Sequence, residues 1–278
     1  MAGQMPYLEF LSRLHTALRP ATYLEIGVHL GQSLAMARAR AIGIDPGYSI
    51  TAPISCDVSL FRTTSDEYFA RPEPLAPFSG TPVDLAFIDG MHLLEFAFRD
   101  FINVERVSRP SSVIVFDDVF PRTVVEAARE QQSRSWTGDV YKIVEVLRQY
   151  RPDLTLTLVD IRPTGLLLVT GLDPESRVLN DRYDEIVEKY VTDDPQDVPP
   201  AILSREGAVA PETLLRSPVW AALRRSRRPW VSAHRARAEM TEALRHPDGY
   251  RVRRRELRRA ASRTLTRVAR KVRAVRSR

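Results

Sequence analysis

Between Val83 and Pro121 the chain reads VDLAFIDGMHLLEFAFRDFINVERVSRPSSVIVFDDVFP, and this stretch leaves few folds open. Two apolar runs, Val83 to Ile88 and Val113 to Phe116, each end in acid, at Asp89-Gly90 and at Asp117-Asp118. Both are short, rich in branched residues and continuously apolar, the pattern of strands buried on both faces of a parallel sheet. Between them Leu93, Leu94, Phe96, Ala97, Phe101, Ile102 and Val104 recur at helical spacing. Such a β-α-β unit delivers its carboxylates to one edge of the sheet, and in open α/β sheets that carboxyl edge binds ligands. Carboxylates gathered there repel one another unless a cation or protons compensate. The oxygen-only set Asp89, Asp117 and Asp118 favours a hard divalent cation, magnesium first. His92 stands one step further on. The plainer alternative is that Asp89 caps a helix and the Asp117-Asp118 pair opens a turn.

The segment before this unit carries a second signal. In ATYLEIGVHLGQSLAMARA, Tyr23 to Ile26 reads as a strand, Gly27 to Gly31 as a glycine turn, and Gln32 onward as a helix. Glycines there let the backbone bend tightly and approach a ligand. The spacing is G-x-x-x-G, not the G-x-G-x-x-G dinucleotide fingerprint, which disfavours an NAD-dependent enzyme. A second strand, AIGIDP, ends in Asp45. An acid at that place can accept hydrogen bonds from ribose hydroxyls, or simply open an Asp-Pro turn. SLFRTTSDEYFA is a third strand running into a helix, with Thr64, Ser65 and Asp66 placed to cap it or to meet an adenine.

Taken together, YLEIGVHLGQS, IGIDP, TTSDEYF, DLAFIDGMH and SVIVFDD resemble the class I S-adenosylmethionine-dependent methyltransferases, and within them the metal-dependent macrocin and sugar O-methyltransferase-like branch. The resemblance covers about residues 20–175. It implies that Glu25, Gly27 and Gly31 hold the methionine part of the cofactor and that Asp45 binds the ribose, while Ser65 and Asp66 keep the two readings given above, cap or adenine contact. It also implies that Asp89, Asp117 and Asp118 hold magnesium. The expected fold is a Rossmann-like, doubly wound, mostly parallel sheet closed by an antiparallel edge hairpin, LTLTLVDI with GLLLVTGL. The expected activity is methylation of a hydroxyl on a small molecule or sugar. One position departs from the family pattern. Where that pattern is often D-G-D, with the second Asp as base, this chain has Met91, so His92 becomes the nearest group suited to general-base work beside Asp89. A packed or cofactor-contacting His92 is the alternative.

At the flanks, Tyr7, Leu8, Phe10, Leu11, Leu14 and Leu18 line one face of an opening helix, with His15 expected at the surface or hydrogen-bonded. Val124 to Arg129 reads as a short helix, and Val140 to Tyr150 as another with Asp139 as its N-cap. Trp136 and Asp139 are also placed to line an acceptor pocket. The domain is expected over residues 1–175, followed by an acidic linker with a short helix over 176–210 and an Arg-rich helical tail over 211–278. That tail holds 21 Lys+Arg against 5 Asp+Glu, a net of +16. Subtracted from the totals of 41 and 35, this leaves 20 against 30 for residues 1–210, a net of −10. Leu257, Ala261, Leu265, Val268, Val272 and Val275 give the tail an apolar stripe. A basic amphipathic helix of this kind suits an anionic membrane surface, and no nucleic-acid-binding motif is present. The competing functional class is therefore a non-catalytic nucleotide-binding module docked through the tail. A single cysteine, Cys56, excludes an intrachain disulfide. With no signal-peptide core and no apolar run of membrane-spanning length, the cytoplasm is the expected location.

Overall fold

The computed structural model describes residues 5–227 and the isolated positions 232 and 238. The strands are β1 (Thr22–Ile26), β2 (Arg40–Ile44), β3 (Val58–Phe61), β4 (Leu85–Ile88), β5 (Val113–Phe116), β6 (Thr155–Val159) and β7 (Leu166–Thr170). They form one sheet in the order β3-β2-β1-β4-β5-β7-β6. β1 to β5 are parallel, β7 runs antiparallel to β5, and β6 pairs antiparallel with β7, so the expected hairpin closes the sheet. The strand order reverses between β1 and β4, which is where such a sheet opens a crevice.

Alternate strand residues face opposite sides, and both sides are covered. Leu24, Ile26, Ile42, Ile44, Ile88 and Phe116 belong to one core. Over it lie α2 (Ser65–Phe69), α3 (Leu94–Arg106), α4 (Ile143–Tyr150), α5 (Val178–Asp181), α6 (Tyr183–Tyr190) and α7 (Pro200–Leu203). Tyr23, Ala41, Leu85, Phe87, Val113 and Val115 belong to the other, under α1 (Tyr7–Leu18), α8 (Pro211–Arg216) and α9 (Val219–Ser226).

Three expectations change here. The helix read from Gln32 onward is a single 3-10 turn, Leu34–Met36. Register explains this: Arg40 must already pair with Thr22, so too few residues remain after Gly31 for several helical turns and a return along the sheet. The side left bare is covered instead by α1, α8 and α9. Residues 176–226 are consequently neither linker nor tail. Leu179, Ile186, Val198 and Ile202 enter the first core, and Leu214, Val219, Trp220 and Leu223 the second. The stretch 124–129 is a run of turns rather than a helix. The apolar stripe from Leu257 to Val275 lies outside the described residues.

Candidate active site

Register places the site. Ile44, Ile26, Ile88 and Phe116 form a level row across β2, β1, β4 and β5. The ladder continues one residue further, with Gly27 N–H on the Ile44 carbonyl, Asp89 N–H on Ile26 and Asp117 N–H on Ile88. Asp45, Gly27, Asp89 and Asp117 therefore emerge side by side at the carboxyl edge. In front of them opens a cavity of about 590 Å³, within the range of small-molecule and cofactor sites. It is lined by Gly27, Asp45, Ser65, Asp66, Asp89, His92, Asp117 and Asp118 of the expected set.

Two of the expected residues sit differently. The Glu25 carboxylate is fully buried and does not line the cavity. It accepts the Tyr23 hydroxyl at 2.6 Å and the Ser33 hydroxyl at 2.7 Å. Burial pushes its pKa up to about 8, against the lowering effect of those two bonds. Gly27 has φ +87, and a Cβ there would stand 1.8 Å from the Asp89 carbonyl oxygen. Its necessity is thus the packing of the β1 turn against the β4 turn, before any ligand is considered. Gly31 has φ +78 and faces Ile50, not the cavity.

Along the β2 side, Asp45 accepts the His29 and Gly47 N–H groups at 2.7 and 2.6 Å, which fixes it at the cavity mouth. Thr64, not Ser65 or Asp66, is the N-cap of α2, in a capping box with Glu67. Asp66 is held by Arg99 Nε at 3.1 Å.

At the centre His92 bridges two acids. Nε2 lies 3.2 Å from Asp89 Oδ1, and Nδ1 lies 3.2 Å from Asp118 Oδ2 and 3.0 Å from the Trp136 carbonyl. A carbonyl and ionised carboxylates only accept, so this set of partners favours a ring that donates from both nitrogens, the imidazolium. Burial works against that charge, but the Asp89 hydrogen bond and the Asp118 and Asp89 charges outweigh it, raising the pKa to about 9. Held this way, His92 has no lone pair for a proton, which counts against its role as a ready-made base. His92 and Asp118 both adopt left-handed backbone, φ +57 and +61. Non-glycine residues held there cluster at functional sites.

Asp89, His92 and Asp118 offer ligand atoms all within 4.8 Å of one another, a set able to hold a metal ion. Asp117 stands beside it, its Oδ1 accepting the Asp118 N–H at 2.8 Å. Burial and the Asp118 and Asp89 charges push Asp117 well up from the usual carboxylate range, and burial raises Asp118 to about 6. An imidazole with two carboxylates suits manganese or zinc as well as magnesium.

Two contributions were not read from the sequence. Tyr7, from α1, lines the cavity, and burial together with the Asp89 and Asp117 charges holds its phenol protonated. Asp100, on α3, lines it too. Its Oδ1 has no hydrogen-bond partner among the described residues, and burial lifts its pKa to about 7. The helical spacing of Ala97 and Val104 around Asp100 was the available signal: an acid among apolar positions of a helix face.

Trp136 and Asp139 do not line the cavity. Trp136 stacks on His92 with ring centroids 5.2 Å apart. Gly138, at φ +55, lets the chain pass the His92 carbonyl, where a Cβ would stand 1.7 Å away. Asp139 makes no side-chain cap on its own helix; it accepts the Leu94 N–H at 2.8 Å and so caps α3.

Residues 24–119, from β1 to just past Asp118, match the family model of a methyltransferase domain. Comparison with curated proteins finds no match. Among solved structures the chain is similar to the O-methyltransferase TomG from Streptomyces achromogenes, involved in tomaymycin synthesis and in complex with SAM. Identity is 20%, covering 60% of this chain and 80% of that one, at a TM-score of 0.46. An O-methyltransferase from Bacillus cereus in complex with SAH matches at 16% identity, over 60% and 80% of the two chains, TM-score 0.44. The SAH-bound methyltransferase PaMTH1 of Podospora anserina matches at 14%, over 60% and 78%, TM-score 0.43. Residues 24–119 thus form a methyltransferase domain, and the cavity opens at its carboxyl edge.

Proposed function

We propose that this methyltransferase moves the methyl group of S-adenosylmethionine onto a hydroxyl of a small molecule or sugar, with a divalent cation at the acid cluster. The observation that carries the reading is the level row Asp45, Gly27, Asp89, Asp117, opening on one cavity at the point where the strand order reverses. The Gly27 turn gives the cofactor's methionine part a close approach, Asp45 has acceptor capacity for the ribose, and Ser65 lies at the adenine end. S-adenosylmethionine supplies an electrophilic methyl, and a divalent cation would lower the pKa of the acceptor hydroxyl. Asp89, His92 and Asp118 would hold that cation, and a cation there would take the place of the imidazolium proton. Asp117, beside that set, is placed to orient the incoming hydroxyl and receive its proton, while Met91, 56% exposed at the rim, meets the acceptor's outer part. Fixing oxygen, carbon and sulfur in line then accounts for much of the rate.

Calorimetry with S-adenosylmethionine, followed by labelled-methyl transfer with and without chelator, tests both parts. Binding and a chelator-sensitive turnover restored by manganese or magnesium are expected. Absence of cofactor binding would sink the reading. Full turnover in excess chelator would remove the cation and leave the acids to the substrate.

A further inference from the structure

Asp100 lines the cavity but has no part in the chemistry just described. The residue is 2% exposed, and its Oδ1 has no hydrogen-bond partner among the described residues. Burial, helped by the Asp66 charge, raises its pKa to about 7 against a Ser65 hydrogen bond and the Arg99 charge. The Arg99 guanidinium is itself committed to Asp66 and to the Tyr183 hydroxyl. A buried acceptor left without a donor destabilises a fold. On a cavity wall, such an atom points to a donor that a ligand brings.

The surroundings of Asp100 narrow what that donor is. β2 delivers Asp45 to the cavity, β3 leads to Ser65 at the start of α2, and Asp100 lies between Ser65 and the β4 turn. A Cβ on Gly90 would stand 3.5 Å from Asp100 Oδ2 and 3.3 Å from the Ile26 side chain. Ile26, Ile44 beside it in the strand row, and Phe96 one turn back on α3 line the same cavity and carry no side-chain donor. Apolar walls with one acceptor among them fit a flat heterocycle that bears an amine.

From this we infer that Asp100 is a specificity-determining residue for the cofactor: its Oδ1 receives the exocyclic amine of adenine and selects that purine over one with a carbonyl or a bare C–H in the amine's place. The inference rests on the S-adenosylmethionine reading and assigns the group that recognises the base. An ionised carboxylate only accepts. The amine satisfies it with one N–H. A carbonyl would turn oxygen to oxygen, and a C–H would leave the carboxylate buried and unpaired. A site built around such a hydrogen bond strongly rejects the analogue that lacks it. Exposed Asp66 is less suited to the task, since it already accepts from Arg99 Nε at 3.1 Å.

Calorimetry on the full chain compares S-adenosylhomocysteine with two analogues, one with hydrogen and one with a carbonyl oxygen in place of the amine. The parent should bind S-adenosylhomocysteine about 10- to 100-fold more tightly than either analogue. In Asp100→Leu the affinities should fall within about threefold of one another. The unfolding midpoint should stay at or above that of the parent, because an apolar side chain replaces an unpartnered buried acid. Equal affinities in the parent, or discrimination kept in Asp100→Leu, would overturn the inference. A lowered midpoint with all the compounds weakened alike would overturn it too, leaving Asp100 a packing role. If the parent gives no heat with S-adenosylhomocysteine, it is the cofactor reading that fails.

Discussion

Side chains at this site hold their roles through the partners that surround them. Asp118 is the clearest case, because its left-handed backbone tolerates only a few residue types, Asp and Asn among them. Asp118→Asn therefore changes the charge without disturbing the turn. It should lower turnover by roughly 10- to 100-fold while leaving the unfolding midpoint nearly unchanged; kinetics and thermal melts on the same sample check both. Glu25 gives the opposite pattern. Its folded pKa of about 8 lies above the unfolded value near 4.5. The folded state therefore binds the extra proton, and stability falls as pH rises from about 4.5 to about 8. Glu25→Gln should remove that slope and raise stability at pH 8, with S-adenosylmethionine affinity within about threefold of the parent, since the carboxylate sits behind the cavity wall. A large loss of affinity at unchanged stability would return Glu25 to the cofactor. Gly27→Val is a poor probe of the cofactor for a related reason: the new side chain would strike the Asp89 carbonyl whether or not a ligand is bound.

The secondary-structure elements show where sequence reading carries and where it stops. The strands were legible because an unbroken apolar run ended by an acid is a local pattern. The acids at the carboxyl edge followed from them, since equal strand ends put Asp45, Asp89 and Asp117 in one row. The crossover after β1 was not legible. LAMARA has helical composition, and it was the register of β2, a non-local fact, that limited it to one 3-10 turn. Nor was the target of Asp139, which in sequence precedes its own helix and in space caps another. His15, expected at the surface or bonded, is buried against Tyr23 with ring centroids 4.7 Å apart and neither nitrogen partnered among the described residues. The apolar spacing of α1 pointed to that face, but not to the lack of a partner. Asp139 also yields a prediction at this scale. Its carboxylate holds the α3 N-terminus, Arg129 at 2.8 Å and Lys142 at 3.2 Å. Asp139→Ala removes a cap worth about 1–2 kcal/mol, leaves Arg129 with Glu95 alone and leaves Lys142 without a carboxylate. It should lower unfolding free energy by about 2–4 kcal/mol, and reduce kcat more than S-adenosylmethionine affinity, because the loosened start of α3 follows directly on His92. Denaturant unfolding and steady-state kinetics would show the two effects.

For the molecule as a whole, packed chain runs on past the expected boundary at 210 and through α9. Leu214, Val219, Trp220 and Leu223 are buried under α1. At about 1.5–3 kcal/mol for each apolar side chain, their burial is comparable to the stability of a typical domain. Truncation after Arg205 should therefore leave an unstable chain, whereas truncation after Arg227 should keep a cooperative melt and cofactor binding. Circular dichroism melts and calorimetry on both forms decide it, and a stable, binding-competent 1–205 form would restore the earlier boundary. Among the described residues no helix is long and apolar enough to cross a membrane. α9 also grips α1 directly: Arg224 donates to the Ala17 carbonyl, and Arg227 to the Arg19 carbonyl at 2.7 Å. α1 in turn brings Tyr7 to the cavity. α1 is thus made well before the helix that grips it. At about 5–20 residues per second, α9 follows α1 by roughly ten seconds or more. By the end of that interval the growing chain has its sheet edge and acids but not the helix that fastens α1, so the acids stand at the edge before the wall carrying Tyr7 is pinned in place.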